Sequence, residues 1–178
     1  MIPLIFMAIE NENDKNKIIQ VYEQYRGLML HVATQVLHDR ATAEDAVSES
    51  IEKLIRNLHK VGDVSCYKTR ALVVVIVRNT AINIWNKNKR AGYGNDDEIE
   101  RLSDKAPMVS DNIVSMEGYD KIVATINALP DTYRDVAVLS LLHDCSHSEI
   151  VEMLGIGYDT VKMRLSRAKK MLREKVMG

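Results

Sequence analysis

The C-terminal stretch of the chain carries the side chains whose chemistry is easiest to interpret. From Thr160 to Gly178 there are seven basic residues and one acid, although the 178-residue chain has a formal net charge of -1. Ammonium and guanidinium groups bind phosphates, and arginine can also bind guanine through two parallel hydrogen bonds. Taken alone, such a run is as often a solvated helix face as a DNA surface. The side chains predicted on this outward face are Lys162, Met163, Ser166, Arg167 and Lys170.

Two helices joined by a tight turn are predicted to position this basic face. Ser146 followed by Glu149 has the form of a capping box at a helix start, and Gly155-Ile156-Gly157 interrupts the apolar pattern that follows. A second helix is predicted from Asp159. The apolar positions predicted to be buried are Ile150, Val151 and Leu154 in the first helix and Val161, Leu165, Ala168 and Leu172 in the second. This outline is typical of a helix-turn-helix, which makes DNA the leading partner.

A second segment with nucleic-acid-binding composition lies between Tyr67 and Arg90. It contains six basic residues and no acid. Its β-branched run, 71–77, would suit a buried strand as well as a buried helix. The helical patterns on both sides and the absence of a partner strand favour a helix.

The region before this segment is predicted to form two further helices. Residues 15–37 have helical apolar spacing, and Thr42-Ala43-Glu44-Asp45 gives an N-cap signal for the next helix. That helix would bury Val47, Ile51, Leu54, Ile55 and Leu58 and would expose Asp45, Ser48, Glu49 and Glu52. Gly62-Asp63 then predicts a short loop, Lys60 to Ser65.

The predicted fold class is all-α, with two small helical domains joined by a flexible linker. The N-terminal domain is assigned to 14–91, an acidic linker to 92–117, and a C-terminal domain containing the helix-turn-helix to 118–178. The C-terminal domain would include a short helix through Ile122, Val123, Ile126 and Leu129, ended by Pro130, and a next helix starting near Val136.

Several other kinds of protein are disfavoured by the sequence. His143, Cys145 and His147 are metal-ligand types, but their spacing is not that of a zinc finger, so no metal is predicted. No nucleophile-base pair and no glycine-rich phosphate loop is recognisable, so neither catalysis nor a cofactor is predicted. Two distant cysteines, no signal peptide and no apolar run of membrane length indicate a cytoplasmic protein without membrane insertion.

These residues resemble, in their order and spacing, a bacterial RNA polymerase sigma factor of the extracytoplasmic-function type. The C-terminal part is similar to the family's minus-thirty-five domain through Leu129-Pro130, Ser146, Glu149-Ile150, Leu154-Gly155-Ile156 and Thr160-Val161-Lys162. The N-terminal part is similar to its minus-ten domain through Ala43-Glu44-Asp45-Ala46-Val47, Glu49, Arg78-Asn79-Thr80-Ala81-Ile82 and the basic end Lys87 to Arg90.

The resemblance implies a function and a set of site residues. The protein would bind core RNA polymerase and direct transcription initiation at promoters with minus-ten and minus-thirty-five elements, and an anti-sigma factor is a further expected partner. Core polymerase would contact Asp45, Ser48, Glu49 and Glu52, and minus-ten DNA would contact Asn79, Asn83, Trp85, Lys87, Lys89 and Arg90. In the minus-thirty-five element, Lys162, Met163 and Arg167 would contact base edges, and Thr160 and Arg164 would contact phosphates. The loop Lys60 to Ser65 would help to hold bases unstacked during strand opening.

Two other functions remain as rivals. A stand-alone helix-turn-helix regulator would bind duplex DNA without polymerase, but its sensing domain would not need the acid-free segment. A protein-interaction module would only hold a polymerase subunit. Trp85 is equally compatible with a core anchor and with a platform for base stacking.

Overall fold

The computed structural model describes residues 3–91 and 119–178, and the predicted linker, 92–117, lies outside them. In the described ranges the chain is helical, without strands, and it separates into two compact units. The first contains a 3₁₀ helix, Leu4–Ala8, then α1, Glu12–Leu37, α2, Arg40–Arg56, a 3₁₀ turn, Leu58–Lys60, and α3, Tyr67–Arg90. The second contains α4, Tyr119–Asn127, α5, Asp131–Ala137, a π turn, Val138–Leu142, α6, His147–Leu154, and α7, Tyr158–Met177. These helices confirm the predicted all-α class.

The first unit is a bundle in which α1, α2 and α3 pack against each other pairwise. The segment 71–78 of α3 is buried on every side, which explains why its β-branched composition is tolerated in a helix. Tertiary packing therefore decides between helix and strand here. Phe6, from the N-terminal 3₁₀ helix, is also fully buried and meets the Tyr22 ring edge-on, with centroids 5.7 Å apart.

The predicted start of α2 at Thr42 is wrong, because the N-cap residue is Asp39. The Asp39 carboxylate accepts hydrogen bonds from the backbone N–H of Thr42, at 2.8 Å, and from its hydroxyl, at 2.5 Å. The bond from the Thr42 hydroxyl lowers the pKa of Asp39 most, and the bond from the backbone N–H lowers it further. Thr42 is therefore a donor inside the first turn, and the helix begins at Arg40.

The second unit buries one side of α7 against α5 and α6. The predicted cap is confirmed: Ser146 accepts from the Glu149 N–H at 3.2 Å, and the Glu149 carboxylate accepts from the Ser146 N–H at 2.7 Å. Gly155 takes a left-handed conformation, φ 65°, that ends α6, whereas Gly157 has an ordinary φ of -67°. Only the first of the two turn glycines therefore uses its conformational freedom.

Some apolar side chains of this unit lie at the surface. Ile122, an apolar position of the predicted short helix, is 55% exposed, and Leu141 is 44% exposed. Leu141 belongs to the π turn, whose wider spacing rotates side chains away from the face that a regular helix would bury. Met153 is fully buried between α6 and its neighbours and was missed, whereas Val161, Leu165 and Ala168 are buried as predicted.

Candidate nucleic-acid interface

The outward face of α7 presents the predicted base-contacting side chains to solvent. Lys162, Met163 and Arg167 are exposed, and Met163 has 44% of its surface accessible. Thr160 and Arg164 lie beside the buried stripe and are half-buried. Three exposed side chains are therefore flanked by two that lie closer to the body of the unit.

Two basic side chains of α7 bind groups of the unit that lie outside this helix. An Arg167 Nη1–H donates to the hydroxyl of Tyr133 in α5 at 3.4 Å, and the Lys175 ammonium donates to the Ala128 carbonyl at 3.0 Å, just after α4. The Lys175 contact supplies a cation to the C-terminal end of a helix, where it is favoured. Both contacts therefore link α7 to earlier elements of the unit, and both side chains remain exposed.

The basic end of α3 emerges from the core that holds the rest of the helix. Residues 71–78 are buried, Asn79 and the segment 82–86 are half-buried, and Lys87 and Arg90 are exposed, with Lys89 half-buried between them. The Asn79 amide donates to the Val75 carbonyl of its own helix at 2.8 Å. The predicted minus-ten residues from Asn83 onward thus share the part of α3 that leaves the core, whereas Asn79 is half-buried between the buried residues Arg78 and Thr80.

Trp85 is half-buried within this basic end of α3. Its indole N–H is shielded from solvent and finds no acceptor among the described residues. A buried donor without an acceptor costs free energy, so this group is a candidate for a bond to an added partner. Because Trp85 is partly buried and partly accessible, it remains compatible with both predicted roles, a core anchor and a platform for base stacking.

The exposed face of α2 brings together all four predicted polymerase-contacting residues. Asp45, Ser48, Glu49 and Glu52 are exposed, as the helical spacing predicts. An open groove of about 750 Å³ runs beside Ser48 and Glu52, between α1, α2 and the N-terminal segment at Pro3. The face therefore combines negative charge with a concave surface.

Glu49 on this face is ion-paired with a lysine that the sequence analysis did not single out. The Lys53 ammonium lies 3.3 Å from the Glu49 carboxylate and donates to the Thr80 hydroxyl of α3 at 3.0 Å. Lys53 is 8% exposed and Thr80 is fully buried. The i,i+4 spacing could have indicated the ion pair, but the contact with Thr80 depends on how α2 packs on α3.

The loop between the 3₁₀ turn and α3, 61–66, is held by side chains of α1, and it begins and ends one residue later than the predicted loop, Lys60 to Ser65. The Lys17 ammonium donates to the Val61 carbonyl, and the Tyr25 hydroxyl donates to the Val64 carbonyl, each at 2.5 Å. Burial of the Tyr25 ring raises the pKa of its hydroxyl. Neither residue was predicted from the sequence, because the two contacts join positions 44 and 39 residues apart in the chain. No local sequence pattern indicates such a contact.

The His143, Cys145 and His147 cluster does not converge. The Cys145 thiol is buried and donates to the His143 carbonyl at 3.8 Å, whereas the His147 ring lies 3.4 Å from the Tyr158 hydroxyl. In the described ranges, no group of three or more metal-ligand side chains could hold an ion. Across the same ranges, no helix is both long enough and apolar enough to cross a membrane.

Comparisons with known proteins match both units of the chain. The family model for sigma-70 region 2 matches residues 21–91, and that for sigma-70 region 4 matches residues 119–172. RNA polymerase sigma factor SigV of Bacillus subtilis is 24% identical over 92% of this chain and 93% of its own length. ECF RNA polymerase sigma factor SigW of the same bacterium is 28% identical over 93% and 91%, respectively.

A solved structure also aligns with the chain over most of its length. It is the sigma factor RpoE in complex with the anti-sigma factor NepR from Bartonella quintana, which is 16% identical. The alignment covers 94% of this chain and 98% of that chain, with a TM-score of 0.39.

Proposed function

Because the chain belongs to the sigma-70 family, as a sigma factor of the extracytoplasmic-function type that directs promoter-specific transcription initiation, we propose a division of labour between its two units. The unit containing 3–91 binds core RNA polymerase and the minus-ten element. The unit containing 119–178 binds the minus-thirty-five element. As a sigma factor the protein is a regulator of polymerase and not itself a catalyst.

The observation that carries this proposal is the arrangement of the first unit. Its α2 helix exposes an acidic face beside a groove, while α3 leaves the same core with a basic, amide-rich end. The acidic face can bind a basic protein surface, and the basic end can bind a polyanion, so one bundle can bind two different partners. A regulator that binds only duplex DNA would need the second surface but not the first.

The acidic face of α2 is the proposed docking surface for core polymerase. Asp45, Ser48, Glu49 and Glu52 would meet a basic or polar surface of a polymerase subunit, with Ser48 and Glu52 at the edge of the groove. Charge complementarity at a rim accelerates association and selects the partner more than it adds affinity. Reversing one charge there should therefore weaken polymerase binding and leave the fold intact.

Transcription with purified core polymerase tests the proposal. Promoters would first be selected from random DNA with the reconstituted enzyme, and Glu52→Lys is then compared with Glu23→Lys, an exposed site on α1. We expect Glu52→Lys to reduce core binding and transcription together and Glu23→Lys to change neither. Tight binding of the chain to its promoter without polymerase would instead support a stand-alone regulator. Polymerase binding without any promoter-dependent transcription would support an interaction module.

The second unit is proposed to insert the exposed face of α7 into the major groove. Lys162, Met163 and Arg167 would contact base edges there, while Thr160 and Arg164 contact phosphates. Asp159 also faces outward in the first turn of α7. Its carboxylate suits the positive end of the helix but repels phosphate, so it would restrict how closely the N-terminal turn approaches the backbone.

The cellular setting of these partners follows from the proposed activity. Core polymerase and promoter DNA are both in the bacterial cytoplasm, so we propose that the protein acts there. An anti-sigma factor remains a prediction from the family resemblance. Affinity purification of the chain from its host, followed by identification of a protein that inhibits transcription by the purified enzyme, tests it.

A further inference from the structure

We propose that Lys17 and Tyr25 are positioning residues for strand opening, because they fix the loop 61–66 in the shape that receives an unstacked promoter base. This inference rests on the proposed function of the first unit in binding the minus-ten element. Neither side chain needs to touch DNA. Each acts by binding the backbone of the loop.

The two tethers reach the loop at its first residue and near its middle. Lys17 and Tyr25 both lie on α1, two turns apart, and their polar groups bind the carbonyls of Val61 and Val64 at 2.5 Å. The Tyr25 hydroxyl also accepts from the Gln24 amide at 3.4 Å. One rigid helix therefore fixes the separation between two points of a short loop.

The middle and the far end of the loop are fixed by further hydrogen bonds. The Asp63 carboxylate accepts from the Ser65 N–H at 2.8 Å, and the Thr69 hydroxyl of α3 donates to the Asp63 carbonyl at 2.6 Å. The Ser65 hydroxyl donates to the Gln24 side chain at 3.2 Å. The loop is thus attached to both α1 and α3, so its shape is determined by the bundle.

Burial divides the loop into an anchored side and an accessible side. Val61 and Tyr25 are 2% and 5% exposed, respectively. Gly62, Asp63 and Ser65 are exposed, and a Cβ at Gly62 would have no neighbour within 4 Å. The accessible side therefore offers open space at Gly62, and the exposed Asp63 carboxylate and Ser65 hydroxyl can accept further hydrogen bonds beyond those described. These are the groups that can bind the Watson–Crick edge of an extruded base.

The tethers matter because an unstacked base must be bound by a site that is already ordered. Extruding a base costs free energy, and a loop that also had to be ordered at that moment would add the entropy of fixing its backbone. A pre-ordered loop avoids this second cost. Loss of the tethers should therefore reduce the capture of one base and leave polymerase binding and duplex binding unchanged.

The experiment uses the full chain with core polymerase and a promoter selected by that enzyme. Binding is measured to duplex promoter DNA and to DNA with either strand single-stranded across the minus-ten region, with each base of that region removed in turn. In the native chain, removal of one particular base should weaken binding by roughly 5- to 150-fold. In the Lys17→Met and Tyr25→Phe variants, removal of that base should weaken binding much less than in the native chain. The double variant should show the smallest effect.

Lys15→Met is the matched control, because Lys15 lies on the same helix and its ammonium is 4.0 Å from the Glu12 carboxylate at the helix start. It should retain the native dependence on that base. Urea unfolding and core binding are measured for every variant to detect folding defects. If either Lys17→Met or Tyr25→Phe impairs folding, the result with the other substitution tests the positioning role. If the native chain shows the base-specific loss and both variants retain it, the positioning role is overturned. If removal of no single base weakens binding of the native complex, the proposed minus-ten function fails instead.

Discussion

Asp39 is a single residue whose ionisation should be visible in the stability of the whole first unit. Its pKa is lowered by bonds from Thr42, so the ionised form stabilises the folded state. That stabilisation is fully present above the ordinary aspartate pKa of about 4 and is lost as the pH falls through the lowered value. The cap is therefore a local source of acid sensitivity.

We expect Asp39→Asn to be less stable than the native chain at pH 7, and we expect the difference to shrink below about pH 4. Thr42→Val should remove part of the same pH dependence, because it deletes the hydroxyl that contributes most to the pKa shift. Urea unfolding at a series of pH values measures both. Thr125→Val is the control, since its hydroxyl donates to the Lys121 backbone and not to a carboxylate. A native-to-variant difference that stays constant with pH would contradict the assignment.

Arg167 is the residue for which a direct base contact is most easily distinguished from a phosphate contact. Arg167→Ala should weaken use of the preferred minus-thirty-five sequence by about 1–3 kcal/mol and should lower the preference for one base pair. Equal loss on every sequence would identify a phosphate contact instead. Arg173→Ala is the matched control, because Arg173 lies farther along the same helix and donates to the Lys169 carbonyl. Promoter variants assayed by transcription with purified polymerase provide the measurement.

At the scale of an element, α3 combines two functions along one helix. Its buried part fixes the axis of the helix, and the part that leaves the core carries the groups proposed to bind DNA. A helix is rigid over this length, so packing around residues 71–78 determines where Lys87 and Arg90 lie. Substitutions in the buried part should therefore change promoter binding only through the fold.

The basic end of α3 should contribute to the salt dependence of promoter binding. If Lys87 neutralises one phosphate, Lys87→Ala should reduce the slope of log affinity against log salt by about 1, and a triple change at Lys87, Lys89 and Arg90 by up to about 3. Lys121→Ala, at an exposed position on α4, should leave the slope unchanged. Titration of holoenzyme binding at several salt concentrations measures the slope. An unchanged slope in the triple variant would exclude phosphate contacts at this end.

The elements that could be predicted from the sequence are those specified by local signals. The capping box at Ser146, the turn at Gly155 and the spacing of Val161, Leu165 and Ala168 act within a few residues, so they identified the helix-turn-helix correctly. The start of α2 was misplaced because two capping residue types lie three positions apart, and only the hydrogen-bond geometry shows that Asp39 is the acceptor. The π turn was missed because its spacing has no sequence signature.

The candidate site was predictable to a similar extent. The acidic face of α2 and the outward face of α7 follow from helical periodicity, and their members are exposed as expected. Lys17, Tyr25 and the contact of Lys53 with Thr80 could not be predicted, because they depend on which faces of distant helices meet. The roles of the predicted contact residues toward polymerase and DNA remain predictions.

At the scale of the whole molecule, the near-neutral net charge fits a protein that acts with polymerase. The basic residues are concentrated at the end of α3 and in α7, while acids occupy α2 and the region between the two units. Weak binding by each unit can still give tight joint binding when a chain or a partner raises the effective concentration of the second contact. Specific promoter binding is therefore expected from the assembled enzyme.

The length of the segment 92–117 should consequently have a modest effect on promoter use. Doubling it with an inserted Gly/Ser sequence should lower the contribution of the minus-thirty-five contact by roughly threefold, from the decline of effective concentration with linker length. Transcription from promoters with an intact and a scrambled minus-thirty-five element separates that contribution from the rest. Loss of all transcription from both promoters would instead assign the segment a direct role in initiation.

The pairing of Glu49 with Lys53 has a consequence for genetics. A screen that scores transcription would recover Glu49→Ala as a loss of function and would assign Glu49 to polymerase docking. Yet the same substitution also removes the carboxylate beside the nearly buried Lys53 ammonium, and this ammonium then keeps its bond to the Thr80 hydroxyl without the ion pair. Because an uncompensated buried charge destabilises a fold, the phenotype would mix two causes. Asp45 and Glu52 lie on the same face, and substitutions at these positions are the more reliable genetic markers of docking.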